Sequence, residues 1–585
     1  MMQTFVLLNF LFFSYCLFMT DNRYAGKPTK HAIVSTLVEL GVTHAFTLPG
    51  LGVTWMLDEF YEVRGQLRVV LTRSEQVASI MAQVVGRLTG KPGVFMGQGP
   101  FASTTGAFGI LEAYFAGSPM LVLTDTSCYD GFGMYGVYQT MTGDYGAADV
   151  RTVLKTMTKA TYYATETHEA VYAIQQAYRQ ASLPRTGPCA VVLKSPIIRR
   201  EMSDQKRVQL YPSQDTSNVL MPEIALQAIN ELVAAINQSK RPVAIVGNGL
   251  QNPRGRKAIA ALAKKCGMAV ATSYNGKGVV DETAEYSVGM LGTWGSKAAN
   301  AAVREADLLV VVGASLGADY LRFREASFIR PGDQKIIQID VDPRNLGWVY
   351  PVDLAINAEA ANALEAITEG GILSDMCSSR LNWIKQVQQN CPDPFEQDTP
   401  AANGFINNST LIKVLDAFLT PDHLLTLDAG TNRIWSTIAL KIRTPGQLIV
   451  PGGIGGMGWG APAAAAAKLV YPEKKVISLT GDGGFAMTMN VLSTCVQENL
   501  PITVVVANNG GLGMVRDNMK GKKIAVDFAS IDFATIAEGM GCLGLRANSA
   551  ESLAEALQTA QNSERTTVIN VSIDPASTHI NVSDY

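Results

Sequence analysis

The chain has 585 residues, 47% of them hydrophobic and 17% charged, with a formal net charge of -3. That is too long for one hydrophobic core and too apolar for a disordered chain, so several globular domains are expected. The near-neutral charge, without a long basic run, excludes a nucleic-acid partner built on electrostatics. Eight cysteines stand without a Cys-x-x-Cys pair, and five histidines are dispersed without zinc-ligand spacing. Reduced cysteines in a cytoplasmic protein are the expectation.

Residues 3–18, QTFVLLNFLFFSYCLF, are apolar and uncharged. They lack the basic start and small-residue cleavage site of a signal peptide and are short for a membrane span. The preferred reading is an upstream start codon ahead of Met19, with membrane anchoring as the other reading. Residues 1–29 are therefore set aside as an extension and polar lead-in.

From residue 30 to 198 strands and helices alternate. The helical HAIVSTLVELG leads to strand THAFTL and the Pro49-Gly50 turn. Strand RVVLT, helix SEQVASIMAQVVGRLTG and strands GVFMG, PMLVLTD and CAVVLKSP follow. Such alternation implies a parallel sheet with right-handed crossovers. Polar residues 199–217 read as a linker. A second block, 218–372, contains helix EIALQAINELVAAIN and strands PVAIVGNG, DLLVVVGAS and KIIQIDVD. After a second linker, 373–407, a third block, 408–585, holds HLLTLDAG, QLIVPGG, KVISLTGDGG, ITVVVANNGG and TTVINVSID. The expected fold is α/β, with three doubly wound parallel-sheet domains. The alternation shared by the first and third blocks is compatible with two related domains.

The sharpest chemical signal lies in the third block. Strand VISLT runs into Gly481-Asp482-Gly483, and strand ITVVVA ends in Asn508-Asn509, with Asp482 and Asn509 27 positions apart. In a parallel sheet the strand C-termini share one edge, where ligands bind. Asp482 and Asn509 can converge there. One carboxylate, one amide oxygen and backbone carbonyls make a hard oxygen shell suited to Mg2+ shared with phosphates. Glycines let backbone N–H groups approach phosphate oxygens, and a helix expected to start after Gly484 favours anions. Each motif alone is more often a turn; the pair at two strand ends is the rarer event.

These residues resemble the thiamine diphosphate enzymes of the acetolactate synthase and pyruvate decarboxylase superfamily, whose diphosphate–metal motif is Gly-Asp-Gly, a span of this length, then Asn-Asn. The resemblance runs from about residue 30 to 574. It implies that Asp482, Asn509 and the Gly511 carbonyl ligate Mg2+, and that Gly483, Gly484, Asn509, Gly511 and Leu512 contact the cofactor. It implies further that Gly430, Thr431 and Asn432 of DAGTNRIW form the second diphosphate loop. Met457, in PGGIGGMGWG, matches the bulky residue that enforces the bent cofactor. A lone methionine is otherwise core filler.

The same resemblance makes Glu75, in RSEQVASIM, the catalytic glutamate that hydrogen-bonds a pyrimidine nitrogen and favours the imino tautomer. Ser74 replaces the usual histidine. The alternative is a solvated glutamate at a helix start. Gly50 of LPGLG would contact cofactor, and Phe101 of GQGPFAST and Gln139 of VYQT would lie on the substrate side. The family builds its sites between subunits, so a homodimer or homotetramer is implied, as is a small 2-oxo acid substrate.

The residues GNG at 247–249, MLGTWG at 290–295 and IDVD at 339–342 resemble the flavin-contacting stretches of flavin-containing relatives. GASLGADYL departs from the arginine- and aspartate-bearing run found there, so FAD stays open. Carboligation is expected over simple decarboxylation, because decarboxylase relatives often carry a His-His pair in the first domain and this chain has only His31 and His44 in its first 150 residues. Two other motifs point elsewhere. Gly453-x-Gly455-x-x-Gly458 satisfies the dinucleotide fingerprint of a nicotinamide dehydrogenase, and Gly313-Ala314-Ser315-Leu316-Gly317 has the form of a hydrolase nucleophile elbow.

Overall fold

The computed structural model describes residues 23–126, 141–143, 148–203, 210, 211, 213, 223–397, 401–402, 404–519, 521–580 and 582. The apolar stretch 3–18 and Gln139 lie outside the described residues. Among the described residues no helix is long and apolar enough to cross a membrane. The six described cysteines, Cys189, Cys266, Cys377, Cys391, Cys495 and Cys542, are all free thiols.

The chain separates into two compact units, residues 1–219 and 220–585. The first holds one six-stranded parallel sheet. Its strands are β1 (His44–Thr47), β2 (Arg68–Leu71), β3 (Gly93–Gly97), β4 (Met120–Asp125), β5 (Ala160–Ala164) and β6 (Pro188–Leu193), in the order β2-β1-β3-β4-β6-β5. The inner strands β3, β4 and β6 are buried along their whole length, while the edge strands β2 and β5 are partly exposed. Helices cover both faces of such a sheet, which is why its centre reads as unbroken apolar runs.

The second unit holds two sheets, each of six parallel strands. Its first sheet consists of β7 (Pro242–Val246), β8 (Ala269–Thr272), β9 (Ser287–Met290), β10 (Leu308–Val312), β11 (Lys335–Asp340) and β12 (Leu354–Asn357), ordered β12-β11-β10-β7-β8-β9. Its second consists of β13 (His423–Leu427), β14 (Leu448–Ile449), β15 (Lys475–Gly481), β16 (Ile502–Asn508), β17 (Leu543–Ala547) and β18 (Thr567–Ser572), ordered β14-β13-β15-β16-β18-β17. That permutation is the one found in the first unit. The two sheets of the second unit are joined through a shared core: Tyr274 and Met290 pack among Leu425, Trp435 and Ile442. A buried Lys277–Glu282 ion pair between β8 and β9 also reaches across to the other sheet's chain, with Lys277 Nζ donating to Leu440 O and Glu282 accepting from Ile442 N–H.

Three local expectations change. The helix expected after Gly484 begins at Asp482 and runs Asp482–Thr488, because Gly481 takes the extended N-cap position. QLIV yields only the two-residue edge strand β14, so the Gly453–Gly458 fingerprint follows an edge strand, and its helix starts only at Gly460. After β10 the chain continues as an irregular segment instead of a helix, and Ser315 is exposed there. A nucleophile elbow needs a strand–turn–helix, so that alternative fails.

Candidate cofactor site

Register builds the site in the second unit. Gly481 pairs with Ala507 across β15 and β16, so Asp482 and Asn509 leave the same edge of the sheet. Asp482 is buried; its Oδ1 accepts the Gly483 N–H at 2.7 Å, and its Oδ2 accepts the Gly511 N–H at 3.0 Å. Burial pushes its pKa above the usual carboxylate range, opposed by those N–H groups and by Arg516. Asn509 Oδ1 also accepts from Gly511 N–H, at 3.2 Å. Asn508 has a structural role instead, donating to Ile531 O and Asn570 Oδ1. A Cβ at Gly513 would lie 2.5 Å from Asn509 Nδ2 and 3.2 Å from Thr431 Oγ1, so only glycine lets these three segments meet.

A cavity of about 240 Å³ opens here, lined by Thr431, Asn432, Met457, Asp482, Gly483, Asn509, Gly511 and Leu512 among others. Gly430 and Gly484 line it too. Gly430 sits at φ 125° as the N-cap of helix Thr431–Ala439, a conformation that favours glycine. Gly484 packs closely on Asp428, where a Cβ would lie 3.0 Å from Oδ2. Gly483 is similarly crowded by Leu512 and Phe528.

Asp428 was not singled out by motif. It opens the loop after β13 and is fully buried, so burial raises its pKa. Its carboxylate accepts from Ala429 N–H at 2.7 Å, Gly458 N–H at 3.0 Å, Gly460 N–H at 3.1 Å and Thr480 Oγ1 at 3.0 Å. It thereby knots the loop after β13, the glycine-rich 453–460 segment and the end of β15. Its only local signal is an aspartate at a strand end, which many turns share.

Thr431 Oγ1, Asn432 Nδ2 and Arg433 Nη1 are buried and make no hydrogen bond. Native proteins rarely leave buried donors unpaired. All three residues line the cavity, so their chemistry fits a ligand rich in anionic oxygens. Among the described residues no group of three or more His, Cys, Asp or Glu side chains could hold a metal. With Asp482 as the carboxylate of the site, a metal there needs further oxygens from amide, backbone and phosphate.

In the first unit, Thr72 Oγ1 donates to Thr47 O and to Ser74 O, fixing the chain at the end of β2. Ser74 then caps helix Glu75–Thr89 by accepting Val77 N–H, the physical use of the serine that stands where a histidine was expected. Glu75 is 9% exposed, so the solvated-glutamate alternative fails. Gly50 packs directly on Gln98, where a Cβ would lie 2.4 Å from Oε1. Phe101, on the short helix Gly99–Ser103, is 39% exposed. Gly50, Glu75 and Phe101 all follow the C-terminal ends of strands β1, β2 and β3.

Three domain models match in order: the N-terminal TPP binding domain of thiamine pyrophosphate enzymes over residues 28–146, their central domain over 229–367, and their C-terminal TPP binding domain over 428–571. The chain belongs to the thiamine pyrophosphate enzymes. The matched C-terminal domain contains the cavity residues from Gly430 to Gly513, and the N-terminal one contains Gly50, Glu75 and Phe101. The putative thiamine pyrophosphate-containing protein YdaP of Bacillus subtilis is 28% identical over 562 residues, covering 94% of this chain and 92% of that protein. The acetolactate synthase large subunit of Corynebacterium glutamicum is 28% identical over 92% of this chain and 86% of its own length. The mitochondrial acetolactate synthase catalytic subunit of Saccharomyces cerevisiae is 28% identical over 95% of this chain and 82% of its own. The family assignment accounts for Asp482, Asn509 and Glu75 together, which a nicotinamide dehydrogenase does not.

Proposed function

We propose that this thiamine pyrophosphate enzyme decarboxylates a 2-oxo acid, with Mg2+ and thiamine diphosphate, and joins the remaining fragment to a second carbonyl compound. The observation that carries the reading is the cavity in which Asp482 and Asn509 face the unpaired donors of Thr431 and Asn432. Asp482, Asn509 and the Gly511 carbonyl would hold the metal, and Thr431, Asn432 and the backbone near Gly483 would hold the diphosphate. The cofactor supplies a carbon nucleophile and an electron sink. Met457 would shape it from the cavity wall, and Glu75 would hold a proton at a pyrimidine nitrogen.

Ligation is favoured over protonation by the lack of a His-His pair in the first 150 residues, where only His31 and His44 stand. His44 opens β1, on the sheet edge opposite Gly50 and Glu75, and stacks on Phe46. His31 is engaged with Glu59 at 3.0 Å. Neither lies at the strand ends that carry Gly50, Glu75 and Phe101. The relatives named acetolactate synthase point the same way. Incubation with pyruvate, alone and with 2-oxobutyrate or an aldehyde, should give hydroxyketone products. Free aldehyde as nearly the whole yield under every acceptor would convert the assignment to a simple decarboxylase.

The reading includes a homodimer or homotetramer in which Glu75 of one subunit serves the Asp482 cavity of another. Mixing separately inactive Glu75→Gln and Asp482→Ala subunits should then restore part of the activity, and no recovery after subunit exchange would sink the shared site. The reading needs thiamine diphosphate and Mg2+ and leaves FAD open. The 247–249 loop lies against the chain just after β10, with Gly249 N–H donating to Gly313 O at 3.1 Å. A flavin absorbance in the purified protein would add FAD.

A further inference from the structure

Arg433 lies in the first turn of helix Thr431–Ala439 and is only 7% exposed. Its guanidinium carbon sits 5.2 Å from the centre of the Tyr274 ring. On another side it faces Gly455, where a Cβ would lie 3.4 Å from Nη1. Arg433 lines the same cavity as Thr431, Asn432, Met457 and Asp482, and its Nη1 makes no hydrogen bond. Asp428, an acid whose charge reaches it, has its carboxylate committed to Ala429, Gly458 and Gly460 N–H groups and to the Thr480 hydroxyl.

A guanidinium stays charged in a protein, and an uncompensated buried charge is strongly unfavourable. Tyr274, through its π face and its hydroxyl, and Tyr320 offset part of that cost and favour the charged form, while Nη1 is left without a partner. Neither tyrosine offers an acceptor in the fork geometry that a guanidinium matches. Carboxylates and phosphates do offer one.

We propose that Arg433 is an anion-binding residue of this cavity, donating from Nη1 to a phosphate or carboxylate oxygen of the ligand. The proposal rests on the reading above, in which a diphosphate cofactor and a 2-oxo acid use this site. Both bring the same anionic oxygen chemistry.

The test uses the full chain with Arg433→Met and Arg433→Lys. Thermal unfolding without ligand shows what the substitution costs the fold on its own, apart from binding. Calorimetric titration with Mg2+ plus thiamine diphosphate, and with Mg2+ plus inorganic pyrophosphate, reads the phosphate arm. KM and kcat for the 2-oxo acid read the carboxylate arm. If Arg433 holds phosphate, both titrations weaken by roughly tenfold or more in Arg433→Met, with a smaller loss in Arg433→Lys. If it holds the carboxylate, the titrations stay unchanged while KM rises by a similar factor and kcat moves less. Unchanged affinities and KM overturn the proposal, and so does a large fall in ligand-free stability without change in either arm. If Arg433→Met fails to fold, Arg433→Lys carries the same readouts. A parent that binds pyrophosphate but not thiamine diphosphate would defeat the proposed function while leaving the Arg433 titration readable.

Discussion

Asp482 and Gly511 are bound to each other: the carboxylate at the end of β15 accepts the backbone N–H of the loop after β16, at 3.0 Å. The aspartate therefore helps to hold the neighbouring loop in place. Asp482→Ala should remove both that bond and the carboxylate of the metal shell. Calorimetry with thiamine diphosphate and Mg2+ should show affinity lower by about tenfold or more. Unchanged affinity would place the metal elsewhere.

Glu75→Gln should keep the fold, since the side chain is 9% exposed and the amide has nearly the same shape. Activity should fall by two or more decades, roughly 3 kcal/mol or more of transition-state stabilisation. Steady-state kinetics together with a cofactor titration check it. Near-normal turnover removes Glu75 from the mechanism.

Asp125 predicts a pH dependence. It ends β4, and its carboxyl accepts from Ser195 Oγ at 2.7 Å and from Gly99 N–H at 3.3 Å. Burial raises its pKa from 3.8 to about 7. The native state then holds a proton that the unfolded chain has released, so this group's stabilisation is full below 3.8 and is lost as pH rises to about 7. The span corresponds to at most about 4 kcal/mol. Asp125→Asn should therefore gain stability relative to the parent between about pH 5 and about pH 8. Denaturant midpoints at the two pH values measure the gain. A difference independent of pH would mean that Asp125 is ionised throughout.

The Lys277–Glu282 pair should behave as a buried clasp between the two sheets of the second unit. Lys277 Nζ lies 2.7 and 2.9 Å from the two Glu282 oxygens and 3.0 Å from Leu440 O, and both side chains are at most 2% exposed. Burial lowers the lysine pKa, and Glu282 opposes that shift. Lys277→Met strands a buried carboxylate and should cost about 3–5 kcal/mol. Adding Glu282→Leu should return much of it. Thermal unfolding of the single and double variants decides the point. A double variant as unstable as the single one would show that the bonds to Leu440 and Ile442 matter more than the charge.

The sequence by itself determined the strand–helix alternation, the two strand-end motifs at Asp482 and Asn509, and the glutamate after β2. Each of these is written in a run of adjacent residues: an apolar strand, a glycine turn, a polar side chain at the turn. Only the tertiary structure decided that the first and third sheets share one strand order, because order depends on which strands pair across loops. It also decided the role of Asp428, whose four donors come from Ala429, Gly458, Gly460 and Thr480, most of them distant in the chain. The same holds for Arg433, which reads in the sequence as an ordinary surface arginine near a helix start. Its burial follows from Tyr274 and Gly455, contributed by two distant loops. Local pattern fixes which face of an element is apolar; which polar groups end up buried without a partner is set by long-range packing.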